Sequence, residues 1–161
     1  MIELSVIRDL VAIFGVIAGF TYYVMTVRHQ NTSRKAQLFM ELYRDFKNIE
    51  VQMAYSDVLT WEWENYDEYM EKYGPGTEEW RKGATLVTLF EGLGVLVYRN
   101  LIDIGMINEL MRSYIIGFWE KFSPIVLEYR RVEPLTCEWT EYLYHEIMKI
   151  ESKPAYTLLN T

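Results

Sequence analysis

A run of eighteen residues without a charged side chain, Leu10–Val27, constrains this chain more than any other feature. Charged or titratable residues bound the run on both sides: Arg8, Asp9, Arg28 and His29. At ~1.5 Å per residue, a helix of this length spans about 27 Å, close to the ~30 Å hydrocarbon core of a bilayer. The run therefore predicts a membrane-spanning helix to which the rest of the chain is attached.

The basic residues around the run predict its orientation. Residues 1–9 form a short leader with one arginine, whereas residues 28–35 form a basic joint that contains Arg28, Arg34 and Lys35. Cytoplasmic flanks of membrane helices are enriched in lysine and arginine, so we expect a single-pass cell-membrane protein with its N-terminus outside and its C-terminal part in the cytoplasm. The leader is not net basic and no small-residue cleavage motif follows the run, which favours an uncleaved anchor.

Three small residues share one face of the predicted span: Ala12, Gly15 and Gly19. Small residues at this spacing allow a second helix to approach the backbone closely. Two interpretations stay open. Either this face packs against another membrane helix, or it simply meets lipid, since glycine is frequent in membrane helices.

The remainder of the chain predicts an all-α domain. Across residues 36–152, apolar side chains recur at spacings of three and four, the pattern of helices with one buried face. We expect a cytoplasmic bundle of four to five helices, the first running on from the anchor with 31–33 as a soft joint. Residues 153–161 are expected to form a flexible tail.

Local signals predict where the helices begin and end. Later helices are expected to start at four places: Ser56 or Asp57, Thr77, Asp103 and Glu138. The Gly-Pro-Gly at 74–76 ends the second helix, because proline and glycine together interrupt helices. Pro124 is expected to kink or split the fourth helix, because proline removes a backbone donor and clashes with the preceding turn.

The charge distribution argues against nucleic-acid binding. The net charge is −7, and residues 36–161 carry twelve basic and twenty-one acidic side chains, which would repel phosphates. The segment 57–79 is the most acidic, with eight carboxylates and one lysine among several aromatic residues. One interpretation is a functional surface that binds a cationic partner or is repelled by the anionic inner leaflet. The other is a solvated helix face with its aromatic side chains turned inward.

Glu91 is the single charged residue in the apolar segment 86–98. A carboxylate there is costly to desolvate unless it is paired or protonated. We expect a buried ion pair with Arg112, or else with Arg99; the alternative is a proton-handling group or an oxygen ligand. The neighbouring Gly92 and Gly94 are expected to mark close packing against another helix.

No metal or cofactor site is expected. Glu138, Glu141 and His145 lie on one helix, but the Glu-x-x-His spacing of di-iron bundles is missing. Cys137, the single cysteine, precludes an intramolecular disulfide and fits a reducing compartment. It lies eight residues before His145, with no sign of the oxyanion framework that a nucleophilic dyad would need.

Two segments, Leu89–Gly94 and Gly117–Ile125, together with Asn100–Asp103 between them, resemble a domain-of-unknown-function family of small prokaryotic proteins. The resemblance covers roughly residues 35 to 150. It implies an N-terminal membrane helix, a basic patch and a helical module. Gly92 stands where that family's pattern has a glutamate, and the resemblance implies no catalytic residue.

These observations predict a membrane-anchored helical interaction or scaffold protein, or an accessory subunit of a membrane complex, without catalysis of its own. Its expected partners are the bilayer and another membrane or cytoplasmic protein, or a second copy of the chain. The alternative is a small-molecule sensor or enzyme that uses Glu91 at a pocket among the helices.

Overall fold

A computed structural model describes residues 4–150, and 83% of these residues are helical with no strand among them. The six helices are α1 (Leu4–Phe46), α2 (Ile49–Thr60), α3 (Tyr66–Tyr73), α4 (Glu78–Tyr98), α5 (Ile104–Tyr129) and α6 (Glu138–Lys149). The predicted all-α class is confirmed. The chain divides into two units, Met1–Gln37 and Leu38–Thr161. The predicted tail at 153–161 lies outside the described residues, as do the first three residues of the leader.

The first unit consists of α1 up to its boundary at Gln37. The described part of the leader and the whole basic joint are helical. The hydroxyls of Thr21 and Thr32 each donate to the backbone carbonyl four residues earlier, at 2.8 and 3.1 Å. Because these polar side chains bond within the helix, they do not interrupt it.

The second unit has its core among apolar side chains that are less than 2% exposed: Phe39, Phe46, Leu86, Phe90, Ile107, Met111, Ile115, Leu143 and Ile147. Helices α4 and α5 supply most of them, and both helices pack against α2, α3 and α6. Helix α4 is not buried all round, because Thr88, Gly92 and Tyr98 are exposed. One face of α4 therefore remains available to solvent.

The predicted second helix was wrong in its limits. The chain instead forms α2 and α3, separated by an irregular segment at 61–65. Asn48 caps α2 and Asn65 caps α3, each side chain accepting a hydrogen bond from a backbone N–H of the first turn. Ser56 and Asp57, the predicted caps, lie inside α2.

The starts of the last three helices agree with the sequence. Thr77 accepts a hydrogen bond from the Trp80 N–H at 3.1 Å, and Asp103 accepts one from the Gly105 N–H at 2.7 Å. Pro124 does not split α5, which continues to Tyr129. Proline there removes the donor for the Glu120 carbonyl, and both residues are exposed, so water can satisfy that oxygen.

Candidate functional site

Helix α1 is long and apolar enough to cross a membrane, judged by length and composition. No part of its most apolar eighteen-residue window is buried within the molecule. Large side chains such as Phe14, Val16 and Phe20 are about two-thirds exposed or more, at 67%, 72% and 69%. An exposed apolar surface of this length is typical of a site of contact with lipid or with another protein.

The small-residue face of α1 is open. A Cβ added to Gly15 or Gly19 would meet no atom of the described residues within 4 Å, and Ala12 is exposed. The basic residues Arg28 and Arg34 are also exposed. Neither the backbone at the glycines nor these guanidinium groups are covered by the described part of their own chain.

Glu91 bonds to the beginning of α6. Its Oε1 accepts hydrogen bonds from the backbone N–H of Thr140 at 2.6 Å and from the Thr140 hydroxyl at 2.7 Å. Helix α6 follows Cys137, which has a left-handed backbone (φ 55°) and forms no side-chain cap. The carboxylate of α4 therefore replaces a local cap, and its negative charge lies at the positive end of the α6 dipole.

The predicted ion pair between Glu91 and Arg112 was wrong. The Nη1 of Arg112 donates to Asn108 Oδ1 at 2.8 Å and to the backbone carbonyl of Ile147 at 2.9 Å. Ile147 lies in the last turn of α6, where its carbonyl also accepts a hydrogen bond from the Ile150 N–H and where a cation is favourable. Glu91 and Arg112 thus serve opposite ends of α6.

Gly94 lies about one turn after Glu91 and also contacts the start of α6. A Cβ on Gly94 would overlap the backbone carbonyl oxygen of Trp139. Close packing was expected at Gly94 and is found there. At Gly92 the expectation was wrong, because a Cβ would meet nothing within 4 Å.

The Glu141 side chain of α6 pairs with Arg130 at the end of α5. Arg130 donates to Glu141 Oε2 at 2.6 Å and to the Thr136 carbonyl at 2.8 Å, so the Glu141 carboxylate is engaged in an ion pair. Within residues 4–150, no three metal-binding side chains come together. Cys137 is buried, and burial, assisted by the charge of Glu91, raises its pKa to about 12. It is a protonated thiol at neutral pH and a poor nucleophile.

The acidic segment 57–79 has its aromatic side chains turned inward. Trp61 and Tyr69 are buried, and Trp61 stacks on Tyr73 with ring centroids 4.3 Å apart. Several carboxylates are exposed, and Asp57 forms an ion pair with Lys82 at 2.8 Å. This arrangement favours a solvated helix face over an exposed aromatic docking surface.

A cavity of about 270 Å³ lies among α3, α4, α5 and the segment that connects α5 to α6. Four of its buried wall residues are Tyr69, Phe118, Phe122 and Cys137. Thr88 and Glu133 also line it and are exposed, so the cavity opens to solvent at its rim. Glu91 is not part of the lining, so this cavity is not the pocket that was expected around the Glu91 carboxylate.

The family model described as Domain of unknown function (DUF4760) matches residues 9–146. The chain belongs to this family. The match includes the apolar segment of α1 and most of the helical unit, and it confirms the resemblance to an uncharacterised family. No curated protein and no solved structure matches the chain. The DUF4760 description assigns no activity.

Thr140 and Arg130 were missed at the level of sequence. Thr140 precedes Leu143 by three residues and Ile147 by seven, which puts it on the inner stripe of α6. A hydroxyl on a buried stripe needs a partner, and Glu91 was the carboxylate on an apolar helix that also needed one. The pairing of Glu91 with Thr140 could therefore have been predicted from sequence. The role of Arg130 could not, because several arginines have carboxylates at comparable spacing.

Proposed function

We propose that this DUF4760 protein is a single-pass membrane-anchored helical module that binds another protein, either as a scaffold or as an accessory subunit of a membrane complex. The observation that carries the proposal is the apolar window of α1, none of which is buried in its own chain. Lipid covers such a surface when the helix spans a bilayer, and a partner helix covers the remainder.

The positions of the basic residues support an orientation with the helical unit in the cytoplasm. Arg28, Arg34 and Lys35 follow the apolar run, whereas Arg8 alone precedes it. The open glycine backbone at Gly15 supports contact with a second membrane helix, because no side chain of the described residues covers it.

The geometry around Glu91 argues for a binding role over catalysis. A carboxylate that caps a helix already accepts two hydrogen bonds and is held in a structural contact. The alternative of an acid–base group at a pocket would require Glu91 to face a cavity, and Glu91 does not line the cavity of about 270 Å³.

Membrane insertion and orientation are tested with the full chain carrying a C-terminal fluorescent protein. We expect the protein to resist alkaline carbonate extraction. We also expect the fusion to remain fluorescent and to be inaccessible to external protease. Ile17→Asp should release the protein, because a carboxylate near the middle of a span costs about 3 kcal/mol of insertion free energy. Release of the unaltered chain by carbonate would refute the anchor, and protease access in intact cells would refute the orientation.

The binding role is tested by cross-linking in native membranes followed by mass spectrometry. Gly15→Ile and Gly19→Ile should weaken recovery of the cross-linked partner, because a branched side chain separates the two helices. Thr21→Ile, which places the same side chain away from the small-residue face, is the matched control. Unchanged recovery with both glycine variants would remove that face from the proposal, and absence of any specific cross-link would refute the binding role.

A further inference from the structure

The cavity beside Cys137 has the size and chemistry of a small-molecule site. Its volume is about 270 Å³, whereas an apolar cavity of about 150 Å³ already accommodates benzene. Five aromatic residues line it: Tyr69, Trp80, Phe118, Phe122 and Tyr129. The rings of Phe118 and Phe122 lie 4.8 Å apart, and those of Tyr69 and Phe122 lie 6.3 Å apart, within the range of favourable aromatic contacts.

The charges at the cavity disfavour an anionic ligand. Glu133, at the exposed rim, is the one charged residue among the lining residues, and no lysine, arginine or histidine belongs to that lining. Arg130, which follows the lining residue Tyr129 in sequence, is engaged with Glu141 and the Thr136 carbonyl. A carboxylate or phosphate would therefore be repelled at the entrance and desolvated without a counter-charge inside.

Tyr69 supplies a polar group on the cavity wall. Within residues 4–150 the Tyr69 hydroxyl forms no hydrogen bond. Every fully buried side-chain oxygen or nitrogen in that range has a hydrogen-bond partner, so the Tyr69 hydroxyl is not fully buried. Burial, and then the nearby Cys137, raise the pKa of Tyr69 to about 12. The hydroxyl stays protonated at neutral pH and is available to a ligand as a hydrogen-bond donor.

We propose that this cavity binds a small uncharged aromatic molecule of one or two rings that carries a single hydroxyl or amide group. The rings pack among the aromatic side chains of α3, α4 and α5, and the polar group pairs with the Tyr69 hydroxyl. Binding here is independent of the membrane-anchored role, since every lining residue belongs to the second unit.

The first test uses 2-naphthol as the probe and 2-naphthoate as its anionic counterpart, with the full chain in detergent. Equilibrium dialysis measures the binding of each probe to the protein, with protein-free detergent micelles as the blank. 2-Naphthol should bind above the blank, and 2-naphthoate should need a concentration about tenfold higher, which corresponds to ~1.4 kcal/mol. No binding of 2-naphthol above the blank, or equal affinity for both probes, would overturn the proposal.

The second test fills the cavity. Ala84→Leu adds three carbons at a lining position of α4, and Thr85→Leu places the same side chain at the neighbouring exposed position outside the lining. Ala84→Leu should weaken 2-naphthol binding about tenfold while Thr85→Leu leaves it unchanged. Equal effects of the two variants would show that 2-naphthol partitions into detergent or binds elsewhere on the protein surface, and would overturn the proposal. If circular dichroism shows that Ala84→Leu is unfolded, the comparison of 2-naphthol with 2-naphthoate on the unaltered chain decides.

Discussion

The Glu91 carboxylate of α4 caps α6 through both the backbone N–H and the hydroxyl of Thr140, at 2.6 and 2.7 Å. Helix α6 needs this distant cap, because Cys137 before it supplies no side-chain hydrogen bond. The free N–H groups at a helix start are normally satisfied from the preceding residue. Here one of them, the Thr140 N–H, is satisfied by a carboxylate of another helix, so the start of α6 and the docking of α4 depend on each other.

Removal of the Glu91 cap should destabilise the helical unit. Glu91→Ala leaves buried donors of Thr140 without an acceptor, and we expect a loss of about 2 kcal/mol in the free energy of unfolding. Glu91→Gln keeps an acceptor but removes the charge at the helix start, so the expected loss is smaller, about 0.5 to 1 kcal/mol. Urea unfolding of the full chain, followed by circular dichroism, measures both.

A double-mutant cycle with Thr140→Val separates the pair from its surroundings. The two losses should not add, because each substitution removes part of the same contact. The exposed Glu120→Ala is the control, with an expected change within about 0.5 kcal/mol. Additive losses for Glu91 and Thr140 would contradict the direct contact.

The two glycines beside Glu91 should respond to alanine in opposite directions. At Gly94 the new Cβ would overlap the Trp139 carbonyl oxygen, and separating α4 from α6 should cost about 1 to 3 kcal/mol. At Gly92 the Cβ meets open space, so the better helix propensity of alanine should stabilise the unit by about 0.5 to 1 kcal/mol. Thermal unfolding of Gly92→Ala and Gly94→Ala tests this prediction. A shift of the unfolding midpoint in the same direction for both variants would contradict this packing.

Helix class and the later helix starts were accessible from sequence because they depend on local signals. Thr77 and Asp103 cap the helices they were expected to cap. The break between α2 and α3 was missed because its cause is tertiary. Trp61 leaves the helical path and stacks on Tyr73, which lies twelve residues later in sequence and 4.3 Å away between ring centroids.

The candidate sites also divide into features that depend on local sequence and features that depend on tertiary packing. The apolar character of the α1 segment follows from composition, whereas the partner of Glu91 depends on how α4 and α6 meet. Charge alone suggested Arg112, but the better acceptor for that arginine was a carbonyl at the far end of α6. The aromatic cavity has no local signal either, because its walls come from three helices and one connecting segment.

Arg130 should stabilise the connection between α5 and α6 far more than its neighbour Arg131. Its guanidinium joins Glu141 to the Thr136 carbonyl, and its side chain is 19% exposed. Arg130→Ala should lower the free energy of unfolding by about 1 to 3 kcal/mol, because charge-assisted hydrogen bonds are lost. Arg131 pairs with Glu128 at the surface and is 75% exposed. Arg131→Ala should therefore change the free energy of unfolding by less than about 0.5 kcal/mol. Equal unfolding midpoints in urea for the two variants would count against this assignment.

The stability of the helical unit should fall as the pH rises from 9 towards 12. Burial raises the pKa of the Cys137 thiol from 9.0 to about 12, so over this window the unfolded chain loses a proton that the folded chain retains. Stability that is fully present below pH 9 is therefore lost as pH increases, by up to ~1.4 kcal/mol per pH unit for one proton. Burial also raises the pKa values of Tyr55 and Tyr69 from 10.0 to about 12, which steepens the decline above pH 10. Cys137→Ala should consequently flatten the dependence between pH 9 and 10, where the thiol contributes most. Urea unfolding of both chains across this interval tests the prediction, and parallel curves would show that the thiol titrates alike in the folded and unfolded states.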